Sequence, residues 1–211
     1  MTQTVAVIDY GSGNLHSVAK AVEHAGQCRV LVTADPKEIQ LADRVVLPGV
    51  GAMGDCMQGL KERGLDLVVL GVIQEKPLMG VCVGMQILTE SGEESAGVDA
   101  LGVFSGQITQ FSKSMKNLKG DALKVPHMGW NEVEQRQHPM WNGIADRTRF
   151  YFVHSYWVDT NDSRLEKFQT DYGLTFTSGI VSSHCLATQF HPEKSQARGI
   201  QLYRNFLENI D

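Results

Sequence analysis

A chain of 211 residues, 42% hydrophobic and 20% charged, is long enough to build one domain with a substantial core. Its net charge of −5, with no basic cluster, gives no electrostatic footprint for nucleic acid, and no apolar run approaches the roughly 20 residues needed to cross a bilayer. Met1–Asp9 lacks the basic region and cleavage site of a signal peptide, and Cys28, Cys56, Cys82 and Cys185 fall in no metal-binding or C-x-x-C spacing, so the expectation is a cytoplasmic protein with free thiols and no metal.

In chain order, Val5–Asp9 reads as a buried strand. A turn over Tyr10-Gly11-Ser12-Gly13-Asn14 follows, then a helix in which Leu15, Val18, Ala19, Val22 and Ala25 repeat at helical spacing until Gly26. A dinucleotide-binding loop would need a third glycine where His16 stands, so a tight turn between strand and helix is the better account. Arg29–Val32 is a second strand, and Asp35-Pro36 has the form of an N-cap with proline at the first helical position. Arg44–Leu47 is a third strand, running into Pro48-Gly49-Val50-Gly51-Ala52, whose small residues would expose main-chain N–H groups. Leu60–Gln74 is an apolar helical region and Leu78–Val81 a fourth strand. Alternating strands and helices predict a mostly parallel sheet with helices on both faces and a site beyond the carboxyl ends of the strands.

The fourth strand ends at Gly80-Val81-Cys82-Val83-Gly84, and the pattern then turns helical over Gly84–Glu90. Strand, Gly-x-nucleophile-x-Gly and helix make a nucleophile elbow with cysteine in the nucleophile's place. The glycines allow backbones to approach closely, and the turn sets the sulfur at a helix N-terminus, where N–H groups and the helix dipole favour a thiolate. A buried, inert thiol is the competing account of Cys82 from the local motif alone; the other three cysteines are read as structural.

Beyond Glu90 the character changes to strand and turn. Ser91–Asp99 reads as a loop. Val103–Phe111, Trp130–Gln135, Arg149–Val158, Leu174–Val181 and Cys185–Phe190 read as strands, and Gln196–Ile210 as a closing helix. His191 and Glu193 stand two apart, directly after the last strand and joined through Pro192. A histidine there takes the thiol proton and later protonates a departing amine, while a carboxylate on its other nitrogen fixes tautomer and orientation. His16, His24 and His138 are expected to face solvent, and His127 and His184 carry no assigned chemistry.

Gly-Val-Cys-Val-Gly-Met-Gln (80–86) together with Gln-Phe-His-Pro-Glu-Lys-Ser (189–195) resembles the class I, or triad, glutamine amidotransferases. The stretches 9–15, 48–51, 126–131 and 152–156 narrow the resemblance to the glutaminase subunits of imidazole glycerol phosphate synthase in histidine biosynthesis. It runs in order from residue 5 to the C-terminus. It implies a single glutamine amidotransferase type-1 domain over residues 1–211, flavodoxin-like, with antiparallel strands added in the C-terminal half. Cys82 is then the nucleophile, His191 the base and acid, and Glu193 its orienter. The N–H groups of Val50 and Val83 form the oxyanion hole, and Gly51, Gln86, Ser155 and Tyr156 bind glutamine. Asn14 and Lys194 match positions near the interface with a separate (β/α)8-barrel cyclase subunit, which receives ammonia in a heterodimer. The resemblance implies no cofactor, no nucleic acid and no membrane. Val83 departs from the pattern, since the family more often has leucine there; the oxyanion contact uses the backbone.

Three other readings share parts of the pattern. The glutaminase of another synthase, such as those for anthranilate or pyridoxal phosphate, would carry the same triad but not the 9–15 and 126–131 motifs. A free-standing cysteine hydrolase would hydrolyse substrates other than glutamine. A flavodoxin-like binding protein would leave Cys82 no more reactive than the other thiols.

Overall fold

The computed structural model of the chain describes residues 2–94, 97–117 and 119–210. Its first half comprises β1 (Gln3–Ile8), α1 (Leu15–Ala25), β2 (Cys28–Thr33), α2 (Pro36–Leu41), β3 (Arg44–Leu47), α3 (Met53–Glu62), α4 (Leu65–Glu75), β4 (Leu78–Val81) and α5 (Val83–Gln86). The second half contains β5 (Ser91–Gly92), β6 (Val98–Asp99), β7 (Gln107–Gln110), β8 (His127–Glu132), β9 (Arg149–His154), β10 (Tyr156–Asp159), β11 (Glu166–Asp171), β12 (Thr175–Val181), β13 (Cys185–Thr188) and α6 (Gln196–Asn209).

The sheet runs β2-β1-β3-β4-β13 with every neighbour parallel, and continues through antiparallel β12 and β10 to β7, β5 and β6. The mostly parallel sheet with added antiparallel strands is therefore the one expected from sequence. β3, β4 and β13 are buried at every position, as continuous apolar runs in the middle of a parallel sheet should be. Helix α1 packs on α6, and α2 and α3 both pack on α4. Four strand ends, those of β1, β3, β4 and β13, thus deliver the segments that begin at Asp9, Pro48, Cys82 and Gln189 to one edge. No described helix is long and apolar enough to cross a membrane.

Several boundaries differ from the sequence reading, each for a local reason. The apolar region 60–74 is two helices, because Gly64 adopts a left-handed conformation (φ 64°) that ends α3 and starts α4. The helix after the elbow is a single turn. Leu88 N–H and Thr89 N–H bond three residues back, to Met85 O and Gln86 O, and the Thr89 hydroxyl competes for the Gln86 carbonyl at 2.8 Å. Within 91–99, β5 and β6 pair antiparallel; residues 95 and 96 lie outside the described residues. Of the strand expected at 103–111 only Gln107–Gln110 forms, because the N–H groups of Val103 and Phe104 both turn to Leu88 O.

The strand expected over 149–158 breaks at Ser155 into strands of two different sheets. β9 pairs with β8 in a separate ribbon, while β10 joins the main sheet. Strand β11 is not among the strands expected from sequence. It alternates buried Phe168 and Thr170 with exposed neighbours and lies along β12, the pattern of a strand wetted on one face.

Candidate active site

Cys82 sits between β4 and α5 with φ 55° and ψ −110°, a conformation costing a non-glycine residue about 1–3 kcal/mol. Its neighbours hold it there. Cys82 N–H donates to Thr188 O at 2.7 Å, prolonging the β4–β13 ladder, and Cys82 O accepts from Met85 N–H at 3.0 Å. The flanking glycines are required for close approach rather than for positive φ: a Cβ on Gly84 would lie 2.0 Å from Leu47 O, and one on Gly80 2.9 Å from Gly84 O. Gly49, on the facing loop, meets the elbow in the same way, 2.7 Å from Gly84 N. Because α5 is one turn long, the helix dipole expected to favour a thiolate is largely missing.

His191 follows β13 on the adjacent strand end, 1% exposed. Its N–H donates to Tyr151 O at 2.9 Å, so β9 fixes this segment from the side. Nδ1 lies 2.8 Å from Glu193 Oε1, with both side chains 1% exposed. Burial pulls the imidazolium down, but the Cys82 sulfur and the Glu193 carboxylate outweigh it and hold His191 up at about 10. Among the described residues, His191 Nε2 has no hydrogen-bond partner of ordinary geometry, and Glu193 Oε2 has none either.

Cys82 and His191 open into a cavity of about 370 Å³. Val50 and Val83 line it, and neither main-chain N–H donates a hydrogen bond among the described residues. The loop carrying Val50 is anchored from behind, where Ser12 Oγ donates to Val50 O at 2.9 Å and Tyr10 Oη to Pro48 O at 2.6 Å. A cysteine sulfur, an oriented imidazole and unspent N–H donors on one cavity wall suit acyl transfer through a covalent intermediate.

The family model for class I glutamine amidotransferases matches residues 6–210. The chain belongs to the class I glutamine amidotransferases. It is 53% identical over 97% of its length to the imidazole glycerol phosphate synthase subunit HisH of Pseudomonas syringae pv. syringae, covering 96% of that protein. It is 52% identical over 98% of its length to subunit HisH 1 of Pseudomonas aeruginosa, covering 97% of it. Among solved structures, PurLQS from Thermotoga maritima superposes with a TM-score of 0.73 at 15% identity, with all of both chains covered. A structure described as a glutamine amidotransferase superposes at 0.71 and 17% identity, with 97% of each chain covered. At those identities the structures speak to the fold alone.

The remaining predicted residues of this amidotransferase fall in three places. Gly51, Gln86, Ser155, Tyr156 and Lys194 line the same cavity. Glu193 lies behind His191 rather than on the wall, as an orienting carboxylate should. Asn14 stands apart, half-buried at the start of α1, where its side chain does not cap the helix. The other cysteines are free and separate: burial raises Cys28 and Cys56 and pushes Cys185 up to about 12. His16 and His24 are exposed as expected, but His138 is half-buried and its Nδ1 accepts from Met140 N–H at 3.1 Å.

Sequence reasoning passed over Glu94 and His154, which also line the cavity. Glu94 is held by Met53 N–H at 2.6 Å, a contact between distant segments with no sequence signal. His154 belongs to the 152–156 stretch and alternates with Phe152 and Phe150 on the buried face of β9. Gln189 likewise belonged to a quoted motif but was assigned no role.

Proposed function

We propose that the chain is the glutaminase subunit of an imidazole glycerol phosphate synthase, formed by residues 1–211 as one amidotransferase domain in the cytoplasm. The observation that carries the reading is the Cys82–His191–Glu193 constellation at the carboxyl edge of the sheet, opening into a cavity large enough for an amino acid.

In this reading the Cys82 thiolate attacks the side-chain amide carbon of glutamine. The oxyanion is received by the N–H groups of Val50 and Val83; removing one such donor in a characterised protease costs about 3–4 kcal/mol of transition-state stabilisation. The His191 imidazolium gives its proton to the amide nitrogen, the C–N bond breaks, and ammonia leaves a γ-glutamyl thioester. Neutral His191 then takes a proton from water as it attacks the thioester. The C–S bond breaks, glutamate departs, and the thiolate–imidazolium pair is restored. Glu193 holds the imidazole through both steps. Gly51, Gln86, Ser155 and Tyr156 hold the amino acid, with the Glu94 carboxylate available to its ammonium group.

Ammonia released into water at neutral pH is mostly protonated, so its acceptor must be coupled to this cavity. We assign that acceptor to a separate (β/α)8-barrel cyclase subunit in a heterodimer, contacted through Asn14 and Lys194. A strip of exposed side chains supports a partner on this side. Lys194 Nζ lies 5.9 Å from the Tyr151 ring, Tyr151 meets Trp130 edge-on at 6.1 Å, and Trp130 and Met128 are 44% and 61% exposed.

The test is ammonia release from glutamine by the chain alone and with the cyclase subunit plus its nucleotide ligand. A large ligand-dependent rise, abolished by Cys82→Ala, is expected. Equal activity with and without the partner would leave a glutaminase but remove the partner assignment.

A further inference from the structure

The Cys82 sulfur has a second polar neighbour besides His191. Cys82 N–H bonds to Thr188 O, and this continuation of the β4–β13 pairing sets Gln189 beside the nucleophile. The Gln189 side chain is completely buried. Its Nε2 lies 3.7 Å from Cys82 Sγ, and its Oε1 accepts from Gln86 Nε2 at 3.0 Å. Gln86 Nε2 also donates to Tyr156 O at 3.3 Å.

This chain of contacts has one polarity. A main-chain carbonyl only accepts, so Tyr156 O fixes the Gln86 amide with its NH2 group toward it. Gln86 Nε2 is a donor and therefore requires Gln189 Oε1 opposite. That leaves Gln189 Nε2 facing the sulfur. The donor is thus aimed by Gln86 and Tyr156, both of which line the glutamine cavity.

A buried thiolate with a single cationic partner needs further donors, and the one-turn helix α5 supplies little dipole. We propose that Gln189 is a further catalytic residue of the glutaminase reaction, its amide N–H donating to the Cys82 sulfur and stabilising the thiolate before attack and again as the thioester C–S bond breaks. The inference rests on Cys82 being the nucleophile. A thiolate is a far better acceptor than the sulfur of a thiol or thioester, so the contact is strong only in the charged states. It eases departure of sulfur from the acyl group without adding a charge that would compete with His191.

The test is the rate of Cys82 alkylation by iodoacetamide across pH, read on the Cys82 peptide by mass spectrometry, with Cys28 as the internal control. Gln189→Leu removes the donor. Gln189→Glu keeps an acceptor for Gln86 and places a like charge against the sulfur. Loss of one charge-assisted hydrogen bond predicts about a tenfold fall at pH 7 for Gln189→Leu, recovered at high pH where the thiolate forms regardless. Gln189→Glu should fall further, and Cys28 should not change. An unchanged Cys82 profile in the folded variants overturns the proposal; if Gln189→Leu does not fold, Gln189→Glu decides alone. The readout does not depend on glutamine turnover, so a wild-type chain that releases no ammonia would sink the glutaminase reading separately.

Discussion

His127 Nδ1 lies 2.9 Å from His154 Nε2, both rings buried, and their surroundings fix every proton. Tyr156 O is 2.7 Å from His154 Nδ1 and only accepts, so that nitrogen carries the hydrogen and Nε2 is an acceptor. His127 therefore donates from Nδ1, and its Nε2 accepts from Asn131 Nδ2 at 3.3 Å. The His127 ring is stacked between Phe152 and Tyr172, at centroid distances of 4.8 Å and 3.9 Å. The chain of bonds ends on the Tyr156 carbonyl that also receives Gln86, so the pair braces the cavity wall from behind.

Protonating either ring would leave two N–H groups facing each other in an apolar setting. Burial accordingly holds His127 and His154 well below the ordinary imidazole range, at about 4 and about 3. Between the unfolded value of about 6.5 and these values the unfolded chain binds more protons, so stability is full above about pH 6.5 and is lost as pH falls through the folded values. His191 works in the opposite sense: its contribution is full below about pH 6.5 and is lost as pH rises through about 10. Urea unfolding as a function of pH should give a dome with both limbs, and His127→Asn should flatten the acid one. A His127 or His154 ring titrating near 6.5 in the folded protein by NMR would contradict the neutral chain.

The elbow glycines predict an order of stability losses. Gly84→Ala drives a Cβ to 2.0 Å from the Leu47 carbonyl, a backbone clash that neither β3 nor the elbow relieves cheaply. A loss of about 3 kcal/mol or more, at the upper end for overpacking, is expected. At Gly51 a Cβ meets open space, and the cost comes only from φ +91°, about 1 kcal/mol. Urea midpoints of the two variants settle it; a Gly51→Ala protein as unstable as Gly84→Ala would be the contrary result.

Glu193→Gln retains an acceptor for His191 Nδ1 and removes the charge. Because Glu193 helps hold His191 up, the variant should lose the protonated imidazole earlier as pH rises. The alkaline limb of the rate profile should move to lower pH, and kcat should fall by about 10²-fold, within the usual range for general acid–base groups. A fall in kcat with the limb unmoved would mean that Glu193 orients the ring sterically and does little electrostatically.

What was legible in the sequence follows from what is local. The elbow could be read because a strand period gives way to a helical one around Gly80 and Gly84, and His191 and Glu193 because a rigid Pro192 joins them. The helix after the elbow was overestimated, since the Thr89 hydroxyl that competes for the Gln86 carbonyl looks like any helix residue in a periodic pattern. Gln189 and Cys82 are brought together by the parallel pairing of β4 with β13, which no window of sequence contains. The break at Ser155 was hidden by its surroundings: Phe150 to Val158 is rich in aromatic and β-branched residues as one strand would be, yet its halves serve different sheets. That break places Ser155 and Tyr156 on the cavity. The functional irregularity was therefore the part that pattern reading smoothed away.

Lys194→Ala is the variant that would separate partner coupling from glutamine binding. It is exposed, ends the short turn that carries Glu193, and lies over Tyr151, whose carbonyl holds His191 N–H. Its ammonium group makes no hydrogen bond or ion pair among the described residues, so truncation leaves no buried partner behind and should cost the isolated chain less than about 0.5 kcal/mol. Lys194→Ala is expected to weaken association with the cyclase subunit and to reduce the ligand-dependent rise in ammonia release, while KM for glutamine changes little. Titration of partner binding beside glutamine kinetics at saturating partner separates the two effects. Equal losses in coupling and in glutamine binding would remove Lys194 from the interface and leave it a cavity-wall residue that serves glutamine alone.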